Sequence, residues 1–302
     1  MTDRIDVGLT AVILAVTGEQ PRVLTVRDLE SVEALPFGSL DPTGDTTLER
    51  ALRRWVLARA GLEVGYVEQL YTFADRFRDP RERETGERSL AVAYLALVRE
   101  MAVAPAFSAH WAAVYGFLPW EDWRQGRPQI LQEIELSMRE WSHGQPARRE
   151  RALIAFGLSG AAWDEERVLE RYELLYEARL VAEAAEPMQR LGQAMAVDHR
   201  RMLATALGRI RGKIKYRPVI FELLPEVFTL FQLQSAVEAL AGVRLHKQNF
   251  RRLVENAGLV EGTGASTRTR GRPAELFRFR REVLTERPAP GVARLTRKDS
   301  LR

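Results

Sequence analysis

An α+β chain in three parts is predicted from three observations. Residues 1–103 alternate apolar and polar positions around one amphipathic helix. Residues 104–215 carry helical spacing and no strand signal, and residues 216–286 set two short helices before two β-like stretches. A mixed α/β/α sandwich, a helical connector and a C-terminal helix-turn-helix with a basic hairpin are expected in that order, followed by a basic tail over 287–302.

The composition bounds this picture. At 302 residues the chain has room for about two domains. Its 46% hydrophobic and 28% charged residues are those of an ordinary globular protein. With no cysteine, disulfides, thiolate catalysis and cysteine-based zinc sites are excluded, and a cytoplasmic location is expected. The opening MTDRIDVGLTAVILAV is acidic and alternating, so neither a signal peptide nor a membrane partner is expected. The net charge of +4 hides an asymmetry: residues 241–302 carry +9, which leaves −5 on the first 240. A basic end on an acidic body suggests that the end meets a polyanion, although a solvated tail gives the same balance.

In the first part, Ile5, Val7, Leu9, Ala11 and Ile13 alternate and predict a strand; PRVLTVR predicts a second and LAVAYLALV a buried third. Thr46, with Glu49 three residues on, is a capping-box signature. Leu48, Leu52, Trp55 and Val56 follow at helical spacing until Gly61 supplies a C-terminal stop. The second part reads as helices over WEDWRQGRPQILQEIELSMREWSHG, ALIAFG and DEERVLERYELLYEARLVAEA. A last helix near 188–212 carries Leu191, Met195, Met202, Ala206 and Ile210 on one side. Trp111, Trp120, Trp123 and Trp141 are expected to anchor helix packing rather than line a ligand site.

The third part is the most specific. Thr229 and Gln232 form a second capping box ahead of FTLFQLQSAVEALAG, which Gly242 ends. After a short turn, a helix over 247–256 places Phe250, Leu253, Val254 and Ala257 inward, so Gln248, Arg252 and Glu255 point outward with Lys247, Asn249 and Arg251 on the flanks. Two β-like stretches follow, joined by a loop with Arg268, Arg270 and Arg272. This is the outline of a winged helix on double-stranded DNA. Gln248, Asn249 and Arg252 suit base edges, and Lys247, Arg251, Arg268, Arg270 and Arg272 suit phosphates. A wing used for protein contacts would share the outline.

The stretch LPFGSLDPTGDTTLERALRRWVLARAGL resembles the Nudix box, G-x5-E-x7-R-E-U-x-E-E-x-G-U with U aliphatic. Anchored on Gly61-Leu62, the box arginine falls on Arg54, but the helical glutamates fall on Trp55, Ala58 and Arg59 and the upstream one on Thr46. A hard divalent cation needs those oxygens to clamp a diphosphate, so no catalytic residue and no metal site is expected on this helix. Displaced ligands at Asp41, Asp45 or Glu49 would make the alternative, a Nudix hydrolase with an accessory nucleic-acid-binding domain. The cleft would still suit a nucleoside diphosphate, with Arg27, Phe37, Arg54, Arg78 and Arg88 as candidate ligand-binding residues. The loop DRFRDPRERETGERS is also self-neutralising, which is the plainer account of its arginines.

The order of parts resembles the Nudix-related transcriptional regulators of NAD metabolism, the NrtR type. The resemblance rests on the box stretch, EQLYTFADRFRDP, SLAVAYLALV, DHRRMLATALGRIRGKIKYRPVIFELLPEVFTLFQLQ, LHKQNFRRLVENAGLVEGTG and GRPAELFRFR. LPWEDWRQGRPQIL and ERVLERYELLYEARLV resemble the NadQ branch in particular. The resemblance spans roughly residues 5–285. It implies a homodimeric repressor on a palindromic operator near NAD-synthesis genes, with no cofactor and with ADP-ribose, NAD or ATP as effector. His246 departs from the family, where an acidic helix cap is usual.

Overall fold

The computed structural model describes residues 5–27, 32–79, 81–104, 107–268 and 273–292. A seven-stranded mixed sheet organises the first part. Strands β1 (Ile5–Thr17) and β2 (Gln20–Arg27) form a hairpin. Strands β3 (Glu33–Ala34) and β4 (Phe37–Ser39) follow, then helix α1 (Leu48–Ala60) and strand β5 (Tyr66–Phe73). A short helix α2 (Glu82–Thr85) leads into β6 (Arg88–Leu97). The order is β3-β2-β1-β6-β5, with β1 and β6 parallel and β4 paired to β1.

Period-two alternation gives this sheet two apolar faces. Leu9, Ala11, Ile13 and Ala15 point to the face that α1 covers with Leu52, Val56 and Ala60. Val12 and Leu14, with Ala91, Ala93, Leu95 and Leu97, point to the other face and join the large core of the helical part. The three strands predicted here are present. Gly61 ends α1 at φ 66°, with its N–H on Leu57 O, as a left-handed C-cap should. The N-cap is Thr47 rather than Thr46: its hydroxyl accepts from Arg50 N at 3.2 Å, and Glu49 is drawn to Arg53 instead of back to the cap.

The segment expected to be wholly helical opens with a strand. β7 (Ala109–Ala113) pairs with β2, Leu24 opposite Trp111, so the sheet continues past residue 103. Helices α3 (Val114–Phe117), α4 (Ile130–Trp141), α5 (Pro146–Phe156), α6 (Val168–Glu177) and α7 (His199–Ile214) follow. The last of these starts eleven residues later than the apolar spacing near 188 suggests. Leu191 and Met195 are buried, but in irregular chain. That chain is held by the buried Arg200, which donates to Leu191 O at 2.8 Å and pairs with Glu183. Trp120 is fully buried, and Trp123 packs on Trp163 with ring centroids 4.6 Å apart, so these tryptophans anchor helix packing.

The third part comprises β8 (Val227–Phe228), α8 (Leu230–Ala241), α9 (Lys247–Asn256), β9 (Val260–Thr267), β10 (Ala274–Phe279) and a final turn α10 (Val283–Glu286). The strands form a second sheet in the order β8-β10-β9. The Thr229–Gln232 capping box is formed in both directions, and Gly242 caps α8 at φ 71°. Phe277 is buried and Phe279 stacks on Phe221 at 4.3 Å, fixing the wing to the body. The connector and third part share one continuous apolar core with the first sheet, running from Val12 to Val292.

Candidate functional site

Helix α9 forms where periodicity places it. Phe250 and Val254 are buried and Leu253 half-buried, so the stripe packs inward. Lys247, Gln248, Arg251 and Arg252 are exposed and Asn249 is half-buried. Arg251 is tied to Glu255 one turn on (2.8 Å). Lys247 and Arg252 carry no ion pair among the described residues, so their charge is open to a polyanion. Arg268 is exposed at the end of β9, while Arg270 and Arg272 lie outside the described residues. Arg278 and Arg280, which alternate with the wing phenylalanines, are spent on Glu261 and Glu286, each at 2.5 Å.

What positions α9 is a buried carboxylate that sequence reading missed. His246 is the N-cap residue and its side chain makes no capping hydrogen bond. The preceding turn is pinned by Glu238 instead: Oε1 accepts from Leu245 N at 2.9 Å and from Gln234 Nε2 at 2.8 Å, and Oε2 accepts from Arg244 at 2.8 Å. Arg244 then reaches across to Glu19 at the β1–β2 turn, at 2.5 Å. The sheet hairpin therefore touches the turn that aims α9. The signal was present, since Gln234 and Glu238 are four apart on α8, but an acid inside a capped apolar helix reads as solvent-facing.

The same C-terminal end of α8 is held from its other side by a charged cluster in the core. Glu121 accepts from Arg171 Nε at 2.6 Å and Nη2 at 2.9 Å, and from Arg211 Nη1 at 2.6 Å. All three side chains are buried. Burial alone would raise the Glu121 pKa, but the two guanidinium groups outweigh it and hold the carboxyl below its usual range. Arg171 also lies 3.9 Å over the Trp163 ring. Arg211 Nε donates to Leu240 O at 3.0 Å and Tyr115 Oη to Ala239 O at 2.6 Å, so the last carbonyls of α8 are gripped by α7 and α3.

The five candidate ligand residues are divided between two faces. Gly38 faces α1, where a Cβ would fall inside the Trp55 ring, and Trp55 Nε1 donates to Ser39 O at 3.0 Å. Phe37, one residue earlier, points the opposite way and meets His199 at the start of α7, ring centroids 5.5 Å apart. Leu35 N donates to His199 Nδ1 at 3.1 Å. Arg78 converges on the same corner but is committed, to Asp198 at 2.5 and 3.0 Å and to Ser89 at 3.2 Å. Arg54 lies on the α1 side and forks onto Asp45 at 2.7 and 3.1 Å. Arg27 is exposed, 3.8 Å from Glu33. Arg88 donates to Ala74 O at 2.6 Å and pairs in register with Ile5. Phe37 pairs with Thr10, so the two lie about 16 Å apart along the sheet at ~3.3 Å per residue. Phe37 and Arg78 thus share a corner, and Arg54 and Arg88 do not join it.

The architecture defines a class: a Nudix-like α/β domain followed, through helices, by a C-terminal winged helix. Within it, residues 220–279 match the NrtR DNA-binding winged helix domain. The chain is similar to the ADPR responsive transcriptional repressor NtrR of Acinetobacter baylyi, 27% identical over 250 residues, 83% of this chain and 70% of that one. Its fold is similar to that of Shewanella oneidensis NrtR complexed with a 27mer DNA, with a TM-score of 0.59 at 22% identity over 92% of this chain and 95% of that one. A MutT/nudix family protein from Enterococcus faecalis is also similar, with a TM-score of 0.55 at 17% identity over 93% and 88%. No helix among the described residues is long and apolar enough to cross a membrane.

Proposed function

We propose that this chain is an NrtR-type transcriptional repressor of NAD-synthesis genes, of the NadQ branch. In this reading it acts as a cytoplasmic homodimer on a palindromic operator and is tuned by an adenine nucleotide such as ADP-ribose, which it does not hydrolyse. The observation that carries the reading is the winged helix of residues 220–279, with the exposed Lys247, Gln248 and Arg252 of α9 presented beside an Arg268-bearing wing. Gln248, Asn249 and Arg252 read base edges; Lys247, Arg251, Arg268, Arg270 and Arg272 hold phosphates.

The packing supplies a route between effector and operator. Strand β4 lies between Trp55 on one face and His199 on the other. From His199, α7 runs 16 residues, about 24 Å, to Ile214. Near its far end Arg211 holds the C-terminus of α8. A ligand that shifts β4 therefore moves a helix whose other end fixes the reader. Electrophoretic mobility shift on the DNA upstream of the gene and its neighbours, repeated with ADP-ribose, NAD and ATP, tests the reading. Retention of specific DNA that one nucleotide alters is expected. Equal affinity for random duplex, or steady release of phosphate products from ADP-ribose with Mg2+, would overturn it.

A further inference from the structure

The divalent cation that the Nudix box implies does not fit helix α1, and the misfit concerns the acids nearby as well as the missing glutamates. Asp41 accepts from Thr43 N at 3.0 Å and Thr43 Oγ1 at 2.7 Å. Asp45 accepts from Asp41 N at 2.9 Å and from both ends of the Arg54 fork. Arg54 holds the Asp45 carboxyl below its usual range. Glu49 accepts from Arg53 at 2.7 and 3.0 Å. No group of three acidic or histidine side chains that could hold a metal occurs among the described residues. The three displaced ligands that would rescue metal chemistry are thus consumed locally.

The arginines of α1 tell the complementary story. Arg50 donates to Thr46 Oγ1 at 3.3 Å, Arg53 is spent on Glu49 and on Gly65 O, and Arg54 on Asp45. Arg59 has no ion pair among the described residues. Its guanidinium carbon lies 5.1 Å from the centroid of the Trp55 ring, and that ring is itself fixed on Gly38 and hydrogen-bonded to Ser39 O. Trp55 and Arg59 both occupy box positions where glutamates would ligate metal. An indole face orients a guanidinium and leaves its N–H edge free for two phosphate oxygens.

We propose that Arg59 takes the place of the divalent cation: the Nudix-like domain binds the diphosphate of its nucleotide through this guanidinium, held on Trp55, and needs no metal to do so. The proposal rests on the effector reading above and adds the charge that receives the phosphates. On this account no turnover is expected, because a fixed guanidinium neutralises a diphosphate without supplying a metal-bound water to attack it.

Isothermal titration of the full-length chain with ADP-ribose, in EDTA and in excess Mg2+, tests it. The dissociation constant is expected to agree between the two within about twofold. Arg59→Glu, which restores a box carboxylate, is expected to weaken binding in EDTA by about tenfold or more, the worth of a charge-assisted contact. Arg59→Lys should fall between, keeping the charge and losing the fork. Binding that appears only with Mg2+, or an Arg59→Glu chain that binds as well as wild type in EDTA, overturns the assignment and leaves the effector reading standing. Absence of binding to ADP-ribose, NAD and ATP under either condition overturns both.

Discussion

Glu121→Gln takes the anion out of a buried triad and leaves two guanidinium groups facing each other. Three charge-assisted bonds reach the carboxylate, one on Oε1 and two on Oε2. An amide offers one oxygen and turns its N–H groups on the arginines in either orientation, so at least one bond is lost and becomes a repulsion. Removing one partner from a buried ion pair costs about 3–5 kcal/mol. For a chain of this size that corresponds to a fall in melting temperature of roughly 6–15 °C. Differential scanning calorimetry at neutral pH reads the fall directly. The pH dependence follows from the depressed Glu121 pKa: its stabilisation is present above the ordinary carboxylate range and is lost as pH falls through the lower folded-state value. Through that acidic window wild type should lose stability more steeply than Glu121→Gln, which lacks this carboxylate's share of the decline. A triple change of Glu121, Arg171 and Arg211 to methionine should cost less than Glu121→Gln alone, since no charge is left unpaired. A melting temperature for Glu121→Gln within about 2 °C of wild type would refute the account of what holds α8.

Three further outcomes are expected. Arg252→Ala should lower the ratio of operator to random-DNA affinity by about tenfold to a hundredfold, as fits loss of one base contact, in fluorescence anisotropy at fixed salt; equal loss on both DNAs would count against base reading. Arg244→Ala cuts the link between Glu19 and Glu238, so ADP-ribose should still bind but change operator affinity much less than in wild type. Gly242→Ala places a Cβ 2.6 Å from Arg211 Nη2 at a φ of 71°. It should destabilise the chain by more than about 1–3 kcal/mol in urea titration, beyond the strain of the left-handed backbone alone.

The legible parts of this fold were those in which one element satisfies its own rules. Helix α8 carries its capping box and left-handed glycine in sequence, and α9 its apolar stripe, so both stand where spacing puts them. Strand β5 escaped because a register shift between Gln69 and Tyr71 breaks the alternation, leaving Leu70 and Phe73, three apart, as its buried residues. Strand β7 escaped because AHWAA carries little alternation of its own and is defined by pairing with β2. At the reading face, exposure could be inferred from helical geometry. The commitments of charge could not: nothing in the spacing says that Arg78 belongs to Asp198, 120 residues away, or that Glu121 serves Arg171 and Arg211. Those pairings are long-range, and periodicity reports only what a single element does.

The continuous core from Val12 to Val292 has a consequence for how such a chain could be rebuilt. A reader hung on a flexible linker is a cartridge: it can be cut off, expressed alone and fused to another input. Here α8, with Leu233, Ala236, Val237 and Leu240 buried in the shared core, packs on β1, β2 and α7 of the other parts, and its final carbonyls are bound by side chains from α3 and α7. A cut at residue 216 would bare that surface and take Leu240 O from Arg211 and Ala239 O from Tyr115. Any graft of a new specificity has to carry α6 and α7 with it, or else leave the backbone whole and change only the outward residues of α9.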